Sequence, residues 1–245
     1  MKCAILQLLL IPIPFNVDRY PTQEMLEKLV EMIQSHTVKS NKQLFTSSML
    51  QLSNLFYHAY VNPSSMVNNF PVKVFGIFGT KESQVLTEKF IPFLVEEIER
   101  TESEHVHLSA ILALGKTGHL KGLKTLVKEI EQASLQLNSA TKVSMIEARR
   151  SIAVNALKRI AKMNPTEIRP ILMSIIVNPV ESAEVRIAAV SVLPFSQPTT
   201  AELQKLAIRS WMEPSEQVSS FIVSTLRSLA LSQVPELKTV GLKAR

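Results

Sequence analysis

The chain has 245 residues, 46% of them hydrophobic and 20% charged, which excludes both a disordered tail and a membrane bundle. It holds 6 glycines, five of them between positions 76 and 122, so it lacks the evenly spread glycine turns that an α/β cofactor-binding fold of this size requires. The net charge of +6 suits a mild attraction to acidic surfaces but falls short of a nucleic-acid footprint, and the single cysteine, Cys3, excludes an internal disulfide framework and a thiolate metal cluster.

Residues 1–20 form an N-terminal apolar segment. One lysine precedes the run Cys3–Ile11, and no small-residue cleavage site stands before Pro12-Ile13-Pro14. The segment reads either as a signal-like leader or as the buried end of a structural element at a fragment edge. From residue 21 to 245 the spacing is helical. Met25, Leu26, Leu29, Val30 and Ile33 line one face of a first helix, entered through Pro21-Thr22. A second runs from about 41 to 60, with Leu44, Phe45, Met49, Leu52, Leu55, Phe56 and Ala59 inward, and Asn62-Pro63 stops it. The stretch 64–79 is the least regular, and 72–79 reads as an extended segment or a buried loop.

Helices are then predicted at about 82–99 with a kink at Pro92, and at 104–114 with Gly115 ending it. Others follow at 120–133, 140–163, 166–177, 183–193, 200–211 and 216–231. Short connections imply antiparallel hairpins. Trp211 is expected to pack at a helix end.

Four octets beginning at His107, Arg150, Arg186 and Ile222 align. Their eighth residue is always Leu (114, 157, 193, 229) and their fifth is aliphatic (Ile111, Val154, Val190, Leu226). Small residues dominate the fourth and seventh positions, where a neighbouring helix can approach closely. Units of this length, each a helix pair, are the period of stacked helical repeats, in which one hairpin buries the face of the next. The fold class expected is therefore all-α: a HEAT-like α-solenoid, a right-handed superhelix of stacked antiparallel helix pairs.

Arg186 follows Glu184-Val185, and Arg150 occupies the same column of the repeat. This resembles the place where HEAT-type repeats carry an arginine that ties adjacent units through carboxylates. Arg149 and Arg150 flank an apolar stripe, so they either mark a helix break or point inward, and an inward arginine must find acceptors. Arg150, Arg186 and Glu184 are the candidates for such an inter-repeat role. Lys121, Lys124 and Lys128 share one side of a helix and are candidates for an acidic partner or a membrane surface.

No catalytic, cofactor-binding or metal residues are expected. Ala110–Thr117 imitates a phosphate-binding loop, but that chemistry needs a strand before the loop, and here a repeat helix precedes it. The five histidines form no metal-ligand spacing, and no nucleophile elbow or dinucleotide fingerprint is present.

Several stretches resemble the vitellogenins, of the large lipid transfer proteins. They are Val17–Thr22, Ala113-Leu114-Gly115-Lys116-Thr117-Gly118-His119, Ile168–Leu172, Glu184–Ala189 and Pro214–Ile222. Their order, over about residues 17–245, resembles vitellogenin more than apolipophorin or the microsomal transfer protein, although Asp18 is inserted in the first motif. The resemblance implies the α-helical superhelix domain of a secreted, extracellular lipid-transport and yolk-storage protein of haemolymph or plasma and egg yolk. It implies a scaffold around a cavity that holds phospholipid and neutral lipid. The implied partners are the β-barrel and β-sheet domains of the parent chain, lipid, a membrane surface and a homodimer mate. An intracellular HEAT-repeat adaptor gripping an acidic protein is the alternative.

Overall fold

The computed structural model describes residues 23–61, 66–67, 70–71, 83–131 and 140–245. The N-terminal segment and the 72–79 stretch lie outside the described residues. Backbone contacts divide the chain into two compact units, Met1–Gly122 and Leu123–Arg245.

In the first unit α1 (Gln23–Gln34) buries Leu26, Leu29, Val30 and Ile33, the face its spacing predicts. A single helical turn, α2 (His36–Lys39), leads to α3 (Lys42–Phe56), where the Asn41 side chain accepts a hydrogen bond from the Leu44 N–H. α3 then widens into a π-helical turn at Tyr57–Val61. A minor antiparallel pair follows, β1 (Met66–Val67) with β2 (Phe70–Pro71).

The helix expected at 82–99 is in two parts: a π-helical segment, Val85–Phe90, runs into α4 (Ile91–Arg100). Pro92 has no N–H to give to the preceding turn, so the hydrogen-bond ladder is interrupted there and the wider turn absorbs the fault. α5 (Glu104–Lys116) packs on α3 and α4. An aromatic chain knits these elements: Phe56 stacks on Phe90 at 5.1 Å, and Phe93 meets Phe45 edge-on at 6.1 Å.

Gly115 does not end α5. It is buried inside the helix, which continues to Lys116, and the chain turns at Gly118, whose φ of 66° suits a residue without a Cβ. Thr117 completes the stop, its hydroxyl donating to the Leu114 carbonyl at 2.6 Å. A 3-10 turn, Leu120–Gly122, closes the unit.

The second unit holds α6 (Leu123–Glu131), α7 (Ala140–Met163), α8 (Pro165–Val177), α9 (Ala183–Val192), α10 (Thr200–Trp211), α11 (Glu216–Leu231) and the short α12 (Lys238–Lys243). Successive helices pair as α6 with α7, α8 with α9 and α10 with α11. The second members also touch in series, α7 on α9 and α9 on α11, so within this unit the pairs stack.

The repeat columns explain the stacking. Ala153, Val154, Ala156 and Leu157 are buried, as are Ala189, Val190, Val192 and Leu193 at the same four positions one repeat on. In the first unit Ala110, Ile111, Ala113 and Leu114 fill those columns. In the octet from Ile222 only Leu229 of the corresponding four is buried.

Three helices of the stack begin at a side-chain cap. Ser182 caps α9, and Ser215 caps α11 through the Val218 N–H. α10 starts in a reciprocal capping box: Thr199 Oγ1 accepts from the Glu202 N–H at 3.2 Å, and Glu202 Oε2 accepts from the Thr199 N–H at 2.7 Å. Thr199→Ala is expected to cost about 1 kcal/mol. The check is the urea midpoint of the second unit, with an unchanged slope.

Candidate functional site

Two arginines, each on the second helix of successive pairs, anchor the same arrangement twice. Arg150 on α7 is 8% exposed and Arg186 on α9 is 2% exposed. α7 passes through Arg149 and Arg150 without a break, and Arg150 points inward. A buried guanidinium is tolerable only with a full set of acceptors, and both have one.

The Arg150 Nε donates to the Ile130 carbonyl at 2.6 Å, in the last turn of α6. Its Nη1 donates to Glu181 Oε1 at 2.6 Å, and its Nη2 donates to Glu181 Oε2. Arg186 repeats the pattern one pair further on. Its Nε and Nη2 donate to the Ile176 carbonyl, near the end of α8, at 3.0 and 2.9 Å. Its Nη1 donates to Glu213 Oε1 at 2.8 Å, and its Nη2 to Glu213 Oε2. Each fork is bidentate, the geometry that gives an arginine–carboxylate pair both strength and direction.

Each clasp therefore ties three elements. The arginine holds the C-terminal carbonyl of its own partner helix, where a cation also meets the negative end of the helix dipole. The carboxylate comes from the loop of the next pair: Glu181 lies between α8 and α9, and Glu213 between α10 and α11. Arg209 reinforces the second clasp, its Nη2 donating to the Val177 carbonyl and its Nε standing 4.0 Å from Glu213.

Electrostatics favours the ionised pair. Hydrogen bonds from Arg186 hold the Glu213 carboxyl below the usual carboxylate range, with burial opposing and the Ser215 N–H and the Arg209 charge assisting. The side chain of Glu213 is 0% exposed, so it has no water to fall back on if the arginine leaves.

Glu184, the carboxylate nearest to Arg186 in sequence, is in neither clasp. It is exposed on α9 and borders an open groove of about 470 Å³ with Glu147, Ser151, Asn155 and Ser191. Sequence reasoning missed Glu181 and Glu213. A signal for them exists: each stands just ahead of the serine that caps the following helix, in Glu181-Ser182 and Glu213-Pro214-Ser215.

Lys121, Lys124 and Lys128 are all exposed. Lys121 lies in the 3-10 turn of the first unit, whereas Lys124 and Lys128 lie one turn apart on α6 of the second. Trp211 is not a packing residue: it is 86% exposed at the last position of α10. The buried face of that helix is Leu203, Leu206 and Ser210, and the 100° step per residue carries Trp211 away from it.

The imitation phosphate loop is helix throughout: 110–116 belong to α5, and the Thr117 hydroxyl is engaged with Leu114. Its backbone N–H groups are committed to the helix rather than gathered around an anion. Among the described residues no three His, Cys, Asp or Glu side chains gather as a metal would need.

Helix pairs stacked in register and clasped through their loops define the class, a helical-repeat protein. The family profile described as Vitellogenin TPR domain matches residues 5–227. The chain belongs to the vitellogenin family. It is 27% identical over 235 residues to vitellogenin of Anthonomus grandis, covering 93% of this chain and 13% of that one. It is 28% identical to vitellogenin-1 of Solenopsis invicta, covering 92% and 13%, and 27% identical to vitellogenin-1 of Gallus gallus, covering 92% and 11%. The chain thus spans about an eighth of the length of the first two relatives. Among solved structures, one titled "Lipid-protein interactions in lipovitellin" matches with a TM-score of 0.72 and 20% identity, over 99% of this chain and 24% of that one. That likeness shows the fold, and the family membership does not favour the intracellular adaptor reading.

Proposed function

We propose that this chain forms the helical wall of a secreted, extracellular lipid-transport and yolk-storage protein and carries no catalytic centre. In the second unit the stacked pairs, fastened by Arg150–Glu181 and Arg186–Glu213, resist sliding past one another, as a wall loaded by neighbouring domains must. The observation that carries the reading is the family match over residues 5–227, on a chain that spans only 13% of its vitellogenin relatives. In this reading phospholipid and neutral lipid are held only where the remaining barrel and sheet domains of a parent chain complete the compartment. The right-handed superhelical course, a homodimer mate and a membrane contact through Lys121, Lys124 and Lys128 belong to the same proposal.

The test is lipid analysis after size exclusion. The 245-residue chain is expected to elute without stoichiometric phospholipid or neutral lipid, and a parent protein containing it is expected to retain both. Stoichiometric lipid on the isolated chain would give this wall a compartment of its own and overturn the reading.

A further inference from the structure

The groove bordered by Glu184 lies wholly within the second unit, between α7 and α9, and at about 470 Å³ it has the size of a binding cleft. Its lining is small or polar apart from Ile187: Ser144, Ala148 and Ser151 come from α7, and Ala188 and Ser191 from α9. Side chains this short let another chain come close to both helices. One end is closed where the Ser191 hydroxyl donates to Asn155 Oδ1 at 3.3 Å. From Ser144 to Asn155 the α7 wall runs about 16 Å, the reach of about five extended residues.

The charge of the groove is acidic and unspent. Glu181, Glu202, Glu213 and Glu236 of the same unit are each met by an arginine or a lysine. Glu147 and Glu184 make no ion pair among the described residues. Neither do Glu131, Glu167 and Glu216, but those three are exposed at helix ends. Glu184 has a structural reason to be acidic, in the first turn of α9, where the helix N-terminus favours it. Glu147 has none: it is half-buried inside α7, and the arginine three residues on is committed to Glu181. The register of 36 residues between the two helices, marked by Asn155 and Ser191, sets Glu184 level with Ala148 and so beside Glu147. One turn on from Glu147, the Ser151 hydroxyl is shielded and makes no hydrogen bond, an unusual state for a polar atom that lines nothing.

Two carboxylates on facing walls over a floor of small side chains suit a flat, multiply donating cation. We propose that the groove between α7 and α9 docks an extended segment of a partner protein that presents an arginine, with the guanidinium between Glu147 and Glu184. The five N–H donors of a guanidinium can serve both walls at once, whereas an ammonium is a point charge. The aliphatic stem would lie against Ile187, Ala148 and Ala188. A metal ion fits less well, because no third His, Cys, Asp or Glu joins the two acids among the described residues. On a chain of net charge +6 the attraction is local to this groove. The contact is separate from the clasps and from any enclosed cargo, so its failure leaves the proposed wall function standing.

The probe is a fluorescein-labelled pentapeptide, Ala-Ala-Arg-Ala-Ala, titrated with the 245-residue chain at low salt and read by fluorescence anisotropy. A twin with citrulline in place of arginine keeps the shape without the charge and should bind about tenfold more weakly. Glu147→Gln and Glu184→Gln should each weaken binding about threefold, and together about tenfold. Ala148→Leu fills an exposed part of the groove with both acids intact and should also weaken binding about tenfold. Glu131→Gln/Glu167→Gln removes the same charge from outside the groove and should bind as the parent chain does. Equal binding of the citrulline twin, or no effect of Ala148→Leu, overturns the proposal. An equal loss in Glu131→Gln/Glu167→Gln also overturns it and assigns the binding to diffuse charge. Displacement by an equal concentration of spermine overturns it in favour of a small polyamine. If a parent protein containing this chain does not bind the peptide while the isolated chain does, the groove belongs to a segment of the parent and the partner reading fails.

Discussion

Glu213→Ala is expected to destabilise the second unit by about 3–5 kcal/mol, a large share of what holds a domain of this size folded. The substitution leaves the Arg186 guanidinium 2% exposed with one backbone carbonyl and no counter-charge. Arg209 adds to the penalty, because its nearest carboxylate is the same Glu213. Paired with Arg186→Met, which fills the space with apolar atoms and removes the charge, Glu213→Ala should recover much of the loss. A double-mutant cycle in urea, followed by far-ultraviolet circular dichroism, reads the coupling directly. If Glu213→Ala alone costs less than about 1 kcal/mol, water reaches the clasp and the buried-pair account fails.

The same pair sets a pH dependence. Glu213 has its pKa lowered in the folded state, so it binds a proton less readily there than in the unfolded chain. Its contribution is complete above the ordinary carboxylate range and is lost as the pH falls through that range towards the folded value. Glu202 has the same sign: burial pushes its pKa up, but the Thr199 hydrogen bonds and Arg169 outweigh that effect. Acid unfolding of the second unit should therefore become less steep in Glu213→Gln. The first clasp offers a graded comparison. Arg150 and Glu181 keep 10% and 11% of their side chains exposed, so Glu181→Ala should cost less than Glu213→Ala.

The sequence disclosed what is periodic and concealed what is decided by a single contact. Helices α7, α10 and α11 were legible to within a residue because proline, threonine or serine marks a boundary and the apolar period runs unbroken between. The inward arginines were legible too, since a charge on an apolar stripe is a break in pattern. Their partners were not, because Glu181 and Glu213 lie in loops that have no period to violate.

Gly115 and Gly118 look alike as stop signals three residues apart. What separates them is the Thr117 hydroxyl reaching Leu114 and the tight burial of position 115, neither of which composition reveals. The π-helical turn before Pro92 is another such case: proline announces a fault, and packing decides whether the helix kinks or widens. Trp211 was misread from its residue type alone. The positions of Leu203, Leu206 and Ser210 already place it on the outer side of α10.

The other large effect falls in the first unit, whose described residues show none of these arginine clasps and pack around an aromatic cluster. Phe56 is fully buried at the end of α3, stacked on Phe90 at 5.1 Å and on Tyr60 at 6.2 Å. Phe56→Ala removes a ring from a site bounded by a π-helical turn on each side, Tyr57–Val61 and Val85–Phe90. These wider turns are held by side-chain packing more than by regular hydrogen-bond geometry, so they have little to fall back on when the ring is lost. The expected cost is about 3–5 kcal/mol, the transfer free energy of the ring plus that of the cavity left behind. Phe56→Leu, which keeps most of the volume, should cost about 1–2 kcal/mol. Because Trp211 lies in the second unit, the readout is hydrogen exchange of peptides from α3, α4 and α5. Those amides should lose protection together in Phe56→Ala, while peptides from α7 to α11 keep theirs. Unchanged protection across α3 would mean that Phe90 and Phe93 hold the unit without Phe56, and the aromatic chain would then be redundant rather than the core of the first unit.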